Sequence, residues 1–259
     1  MIFDTHAHYD DRAFDEDRDE LLSALPGRGV GRVVNVTSTL GSLEKSRDIS
    51  EKYDHVYTSS GLHPTEIYDL TTENLSYVEQ LCSHEKCVAV GEIGLDYHYP
   101  DTNALMQKEF FAAQIELAIK HGLPIIVHSR DAAKDTMDIM RSYDLRDIGG
   151  VVHCYSYSLE MAREYVEMGM HIGIGGVVTY KNGRKLKECA QALPLESIVL
   201  ETDCPYLSPE PNRGKRNSSL NLNYVAQEIA HIRGLTIDEV KHATWDNALR
   251  LYHMDAELN

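Results

Sequence analysis

His6 and His8 form an H-x-H pair that follows the apolar Ile2-Phe3 and precedes a carboxylate-rich stretch over residues 10–20. Alternate side chains of an extended strand share a face, so the two imidazoles point the same way and could hold a metal ion. Two unrelated histidines would leave the same trace, so the pair alone decides little. Other histidines and carboxylates stand just after short apolar runs. Glu92 follows Val88-Ala89-Val90-Gly91, His128 follows Ile125-Ile126-Val127 and His153 follows Val151-Val152. Asp203 closes the run Ile198-Val199-Leu200-Glu201-Thr202, and His63 lies just past the run at 56–60. One histidine after an apolar run reads most simply as a hydrogen-bonded structural residue. Recurrence at the ends of several runs reads as a ligand set. Mixed imidazole and carboxylate donors suit a divalent transition ion such as zinc or manganese. His6, His8, Glu92, His128, His153 and Asp203 exceed the three protein ligands of a usual catalytic zinc site. Since a carboxylate such as Glu92 can bridge two ions, the expectation is a two-metal centre.

Such a set needs a scaffold that brings distant segments to one rim. Short Val/Ile-rich runs predict strands at Met1–Phe3, Arg32–Thr37, Val56–Ser60, Cys87–Val90, Ile125–Val127, Gly150–Val152, His171–Ile174 and Ile198–Leu200. Their near-continuous apolar character suits parallel strands buried on both faces. Helical spacing fills the gaps at 15–25, 42–53, 72–84, 103–121, 132–143, 158–168, 183–193 and 221–232. Gly122 supplies a left-handed stop after the helix at 103–121. A last helix runs from Thr236, which with Glu239 forms a capping box, to about Tyr252. Eight strands alternating with helices predict an α/β fold of the (β/α)8 TIM-barrel type, a single domain over residues 1–259. An open doubly wound sheet is the competitor, but no glycine-rich nucleotide-binding motif supports a dinucleotide or P-loop version of it. In a barrel, polar residues at the C-terminal strand ends converge on one site. Glu201 shares strand parity with Asp203, so it faces inward to orient a ligand or to form a buried ion pair beneath the site. The long irregular stretch at 204–220 is a candidate functional loop.

The formal net charge of -16 argues against broad electrostatic binding to nucleic acid. Two local clusters run against it: Lys181, Arg184, Lys185 and Lys187, read as a solvated helix face, and Arg213, Lys215 and Arg216, within a Pro/Asn/Gly-rich loop. The 5 cysteines are scattered and odd in number, which suits a reducing compartment better than a disulfide framework. No apolar run spans a bilayer, and the start Met-Ile-Phe-Asp-Thr-His has no signal-like core. The expectation is a soluble cytoplasmic protein with no membrane association.

Seven motifs together resemble the TatD family of metal-dependent hydrolases, within the amidohydrolase-like barrels. They are Phe3-Asp4-Thr5-His6-Ala7-His8, Gly61-Leu62-His63-Pro64, Gly91-Glu92-Ile93-Gly94-Leu95-Asp96-Tyr97, Val127-His128-Ser129-Arg130-Asp131-Ala132, His153-Cys154-Tyr155-Ser156, Glu201-Thr202-Asp203-Cys204-Pro205-Tyr206-Leu207 and Arg213-Gly214-Lys215-Arg216-Asn217. The resemblance covers nearly the whole chain. It implies His6, His8, Glu92 and Asp203 around one ion, and Glu92, His128 and His153 around a second. It also implies Asp203 as general base toward the attacking water. The family includes deoxyribonucleases that trim 3′ ends, commonly supported by magnesium. Tyr157 stands where glycine is common in the family, and Ser218-Ser219 where Glu-Pro is frequent. Both departures touch loops that shape substrate preference.

The expected function is therefore a divalent-metal-dependent phosphodiesterase, a 3′–5′ exonuclease acting on DNA through a water activated by two ions. Asp203 and His63 are the candidate catalytic residues. His63 would contact the phosphate, protonate the leaving oxygen, or serve only as a hydrogen-bonding support. Arg130, Lys215 and Arg216 are candidate phosphate contacts, because cationic donors suit phosphate oxygens; an ion pair of Arg130 with Asp131 is the alternative. Tyr206 and Trp245 invite a base-stacking reading, which for Trp245 is weaker than core packing. An acidic surface favours ends and single strands over long duplexes, and protein partners are not specified. Two other functions fit the same residues: an amide, ester or lactone hydrolase, and a non-catalytic metal-binding protein.

Overall fold

In this computed structural model, which describes residues 1–69 and 71–254, every Val/Ile-rich run becomes a strand. The strands are β1 (Ile2–Ala7), β2 (Val30–Asn35), β3 (Val56–Ser60), β4 (Cys87–Asp96), β5 (Ile125–Arg130), β6 (Gly150–Val152), β7 (Met170–Ile174) and β8 (Ile198–Leu200). They pair in chain order, each parallel to the next. The first and last strands are joined by the Asp203 amide, which donates to the His6 carbonyl at 2.9 Å, and by the His8 amide, which donates to the Cys204 carbonyl at 2.9 Å. The result is a (β/α)8 barrel in one domain, as the alternation of runs predicts.

Nine helices surround it among the described residues: α1 (Arg18–Ala24), α2 (Leu40–Lys52), α3 (Thr72–Cys82), α4 (Ala104–His121), α5 (Ala133–Arg141), α6 (Leu159–Glu167), α7 (Arg184–Ala192), α8 (Leu222–Arg233) and α9 (Ile237–Leu251). Local signals set several ends. Asn103 caps α4 through the Met106 amide, and Gly122 ends it at φ 65. Thr236 and Glu239 form the reciprocal capping box that starts α9. None of these helices is long and apolar enough to cross a membrane.

Three strands run well past the ends expected from sequence, among them β5, which continues past Val127 to Arg130. β1 extends past Phe3 to Ala7, and β4 extends past Val90 to Asp96. Both extensions are fully buried and contain polar residues, because the upper layer of the barrel interior is a site rather than a hydrocarbon core. β4 continues through Gly91 and Gly94 for a steric reason. Gly94 has φ +142, and a Cβ there would overlap the His128 carbonyl of β5.

The lower barrel is apolar, filled by Phe3, Val34, Val88, Ile126, Val151 and Val199. Trp245 and Tyr252 pack on Phe3 with ring centroids at 5.8 Å and 5.7 Å, so Trp245 is a core residue. A larger apolar layer lies between the strands and the helical ring. The candidate ligands sit above this apolar layer, at the C-terminal ends of the strands.

Candidate metal centre

The C-terminal rim gathers side chains from six strands around the Glu92 carboxylate. Glu92 Oε1 lies 2.6 Å from His153 Nε2, 2.8 Å from His128 Nδ1 and 3.6 Å from His63 Nε2. Its other oxygen lies 3.4 Å from His6 Nε2 and 3.8 Å from His8 Nε2. Asp203 Oδ1 completes the arc at 3.3 Å from His8 and 3.8 Å from His6. The six residues expected as ligands thus form one cluster, with Glu92 in the middle and only 3% exposed. His6 lies within β1 and His8 just beyond it, both turned inward as strand alternation requires. Asp203 arrives differently. β8 ends at Leu200, and Asp203 sits at φ 54, in the left-handed region.

The hydrogen-bond pattern fixes which ring atoms face the centre. His8 donates its Nδ1–H to the Val36 carbonyl at 2.9 Å, which leaves the Nε2 lone pair toward Asp203 and His6 in the neutral ring. His128 donates its Nε2–H to Asp96 Oδ2 at 3.1 Å, which leaves Nδ1 toward Glu92 and His153. The His6 and His8 Nε2 atoms face each other at 3.1 Å. Lone pairs and carboxylate oxygens pointing at one another need positive charge between them. The titration pattern agrees. Burial opposes protonation of His8 and His128, but Asp203 and Glu92 raise His8 to about 10, and Asp96 and Glu92 raise His128 to about 9. Glu92 is itself buried and is held well below the usual carboxylate range by His153, His63 and His128. A field that recruits protons so strongly would equally accept divalent cations in their place, and the donor set suits zinc, manganese or magnesium.

Three buried polar atoms beneath the cluster have no partner: His6 Nδ1, His153 Nδ1 and Glu201 Oε2. The two rings stack, with centroids 4.0 Å apart and planes at 10°. Ligand atoms of His6, His153 and Glu201 all lie within 4.8 Å of one another. The other Glu201 oxygen accepts the Cys154 amide at 2.5 Å. Its carboxylate is accommodated because residue 173 is glycine; a Cβ there would overlap Glu201 Oε2. Burial pushes Glu201 up to about 7, offset in part by His153 and the Cys154 amide. With their Nε2 atoms on metal, His6 and His153 would each carry a proton on Nδ1, directed to this carboxylate region. The orphaned atoms therefore fit a metal-bound state of these ligands.

His63 behaves differently from the six. Its Nδ1 accepts the Thr65 amide at 3.2 Å and lies 2.7 Å from the Thr65 hydroxyl. The ring proton is therefore on Nε2, the atom that faces Glu92. Burial lowers His63 to about 3 despite the pull of Glu92, so the ring is a neutral N–H donor.

A cavity of about 920 Å³ opens above the cluster. His63, Arg130 and Tyr206 line it, with Tyr99 on the β4 side. Arg130 does not pair with Asp131, which instead meets His98 Nδ1 at 3.2 Å. Arg216 points elsewhere: it binds Asp17 with both terminal nitrogens, at 2.7 Å and 2.5 Å, and lies over the Phe14 ring. Lys215 is exposed and outside the cavity lining. Tyr157 holds the β5 loop through Ser129 at 3.0 Å, and Ser219 donates to the buried Asp4 at 2.6 Å. Sequence reasoning gave no role to Asp96 or Asp4. Asp96 shares strand parity with Glu92 across Gly94, which was the available signal. Asp4 accepts from the Thr202 amide and hydroxyl at 3.0 Å and 2.7 Å, tying β1 to the segment after β8.

A family model described as TatD related DNase matches residues 3–253. The chain is 40% identical over 255 residues to the metal-dependent hydrolase YabD of Bacillus subtilis, covering 98% of this chain and 100% of that one. It is 35% identical to the metal-dependent hydrolase YcfH of Escherichia coli, covering 99% and 97%. Both relatives carry the description "uncharacterized". The crystal structure of YjjV, a TatD homologue from Escherichia coli, superposes with a TM-score of 0.92 at 30% identity, covering 98% of each chain.

Proposed function

We propose that this chain, which belongs to the TatD related DNase family, is a phosphodiesterase that removes nucleotides from the ends of DNA strands. Membership makes it a metal-dependent hydrolase on an amidohydrolase-like barrel. The choice of a phosphodiester rests on one observation above all: two neutralising donors, the His63 Nε2–H and the Arg130 guanidinium, line a cavity already built around a cation-seeking carboxylate cluster. His6, His8, Glu92 and Asp203 would hold one divalent ion, and Glu92, His128 and His153 a second. Bound there, the ions would supply electrophilic stabilisation of the phosphoryl oxygens and lower the pKa of water.

The residues then divide the work. Asp203 is lowered by its bond to His8 and by the His8, His6 and His153 charges, against the effect of burial, so it is ionised at neutral pH. It can take the proton of the attacking water as the new P–O bond forms and the ester P–O bond breaks; the leaving oxygen departs with that bond's electron pair and gains its proton from solvent in the open cavity. His63, neutral and protonated on Nε2, offers a hydrogen bond to a phosphoryl oxygen; a ring with so low a pKa is a poor proton source for the leaving oxygen. Arg130, at the end of β5, adds a charged donor to the same cavity. With the ions bound, Glu201 would orient the His6 and His153 rings from below. Asp10, Asp11 and Glu66 line the cavity on its β1–β3 side. They repel a phosphate chain running through the site, which favours a strand end over an internal position.

Cleavage of end-labelled single- and double-stranded DNA, across a series of magnesium, manganese and zinc, tests this reading. Shortening from one end is expected, with Asp203→Asn slowed by roughly a hundredfold or more. Hydrolysis of an amide, ester or lactone panel with DNA left intact would overturn the phosphodiesterase reading. Equal inactivity of wild type and variant on every substrate would overturn catalysis itself.

A further inference from the structure

The rim is divided by charge, and the division gives the substrate a direction. On the β1–β3 side the cavity wall carries Asp10, Asp11 and Glu66. On the β7–β8 side the two basic clusters of the sequence meet. Arg213 places its guanidinium 4.3 Å from the Tyr180 ring centroid, and Tyr180 donates its hydroxyl to the Ser208 carbonyl at 2.8 Å. Ser208 in turn donates to the Lys215 carbonyl at 2.6 Å, and the Glu210 amide donates to Thr179 at 2.9 Å. The loop after β8 therefore lies against the segment between β7 and α7. This contact brings Arg213 onto Tyr180, the residue before Lys181, and so joins the two segments that carry Lys181, Arg184 and Lys185 on one side and Arg213 and Lys215 on the other.

All five cations are exposed. Among the described residues, only Arg213 has a carboxylate near it, Glu210 at 4.0 Å. Lys187 is different: it is spent on Glu228 at 2.6 Å. The first turn of α7 contains no acidic residue, so Arg184 and Lys185 oppose the helix dipole there and do nothing for helix stability. In a chain of net charge -16, five exposed and nearly uncompensated cations on two contacting segments favour a local field of the opposite sign. Both segments also reach the cavity, because Val177 of one and Leu207 of the other line its wall.

We propose that this β7–β8 patch is the track for the nucleic-acid strand beyond the reacting nucleotide, with Lys181, Arg184 and Lys185 contacting its phosphates. The inference rests on the phosphodiester reading above and adds the path of the strand to it. The scissile phosphate sits over the metal cluster, the terminal nucleotide lies toward the acidic wall, and the remaining strand leaves over α7. Phosphate contacts of this kind position a strand without reading its sequence.

The test compares metal-loaded wild type with a Lys181→Glu/Arg184→Glu/Lys185→Glu variant, whose fold is checked by its thermal melt. The three positions are exposed and belong to neither the cavity lining nor the ligand cluster, so hydrolysis of bis(p-nitrophenyl) phosphate should stay within about twofold. Binding of a fluorescein-labelled single strand of about 20 nucleotides, read by anisotropy, should weaken on the order of tenfold or more. The slope of log affinity against log salt should flatten by about 2, at roughly 0.7 for each lost contact. Unchanged strand affinity and salt slope would overturn the track, and so would equal losses on the strand and the small diester. If neither substrate is cleaved by the wild type, the phosphodiesterase reading fails. The anisotropy comparison still decides the patch by whether salt-dependent strand binding disappears in the variant.

Discussion

Asp96 offers the sharpest test of how the centre is held. Its Oδ2 accepts the His128 Nε2–H at 3.1 Å, and its Oδ1 accepts the His98 amide at 2.9 Å. Both partners are donors, so both oxygens are required. In Asp96→Asn one oxygen becomes an NH2 group of nearly the same size. If the NH2 faces His98, two donors oppose each other. If it faces His128, the ring must accept at Nε2 and carry its proton on Nδ1. That atom lies 2.8 Å from Glu92 and 3.2 Å from His153, where a metal would need a lone pair. Loss of a carboxylate that orients a metal-bound histidine typically costs about 10- to 100-fold in affinity, or roughly 1.4 to 2.8 kcal/mol. Zinc or manganese titrated in competition with a chromophoric chelator, with stoichiometry read by elemental analysis, measures it. The ion at Glu92, His128 and His153 should weaken by that factor, while the ion at His6, His8 and Asp203 changes by no more than about threefold. Wild-type affinity at both ions in the variant would refute the tautomer argument.

Glu201→Gln should weaken metal binding about tenfold, because His6 and His153 lose the charged acceptor beneath them; a titration unchanged from wild type would contradict this. Asp4 predicts a pH effect. Burial pushes its carboxyl up from 3.8 to about 6, against the bonds it accepts from Ser219, Thr202 and His6. The folded chain therefore keeps a proton that the unfolded chain releases between those values. The contribution of Asp4 to stability falls as pH rises through this window, by ~3 kcal/mol, and stays lost above it. In urea unfolding, the advantage of wild type over Asp4→Asn should shrink by about that amount from pH 4 to pH 7; a constant difference would count against it. Gly94→Ala should destabilise by at least about 3 kcal/mol and cost metal binding, since the new Cβ meets the His128 carbonyl at a φ that alanine resists; a thermal melt within a few degrees of wild type would show otherwise.

The barrel and the cluster of candidate ligands at its rim were legible in the sequence because both depend on short-range pattern. Apolar runs marked the strands, and a histidine or acid just past a run marked the rim. The failures lie where the pattern is interrupted. Gly91, Glu92 and Gly94 look like the end of β4, yet the strand runs on, because a polar side chain at the top of a barrel is buried among ligands rather than in solvent. Asp96 went without a role for the same reason. Arg216 read as a phosphate contact from its basic neighbours, but its partner Asp17 lies 199 residues away, and no local pattern reports such a pairing. Lys181, Arg184 and Lys185 are exposed, as a solvated helix face requires; what local pattern does not report is the loop after β8, which meets the adjoining Thr179 and Tyr180.

The seam between β1 and the segment after β8 unites His6 and His8 with Asp203, residues from opposite ends of the chain. At a synthesis rate of roughly 5–20 residues per second, His6 emerges about 10 to 40 seconds before Asp203. A nascent chain therefore exposes His6 and His8 for that interval without Asp203 or a closed barrel. The candidate centre is complete only when the segment after β8 is in place. A divalent ion bound there would act as a clasp across the seam, rewarding the closed ring and no fragment that ends before it.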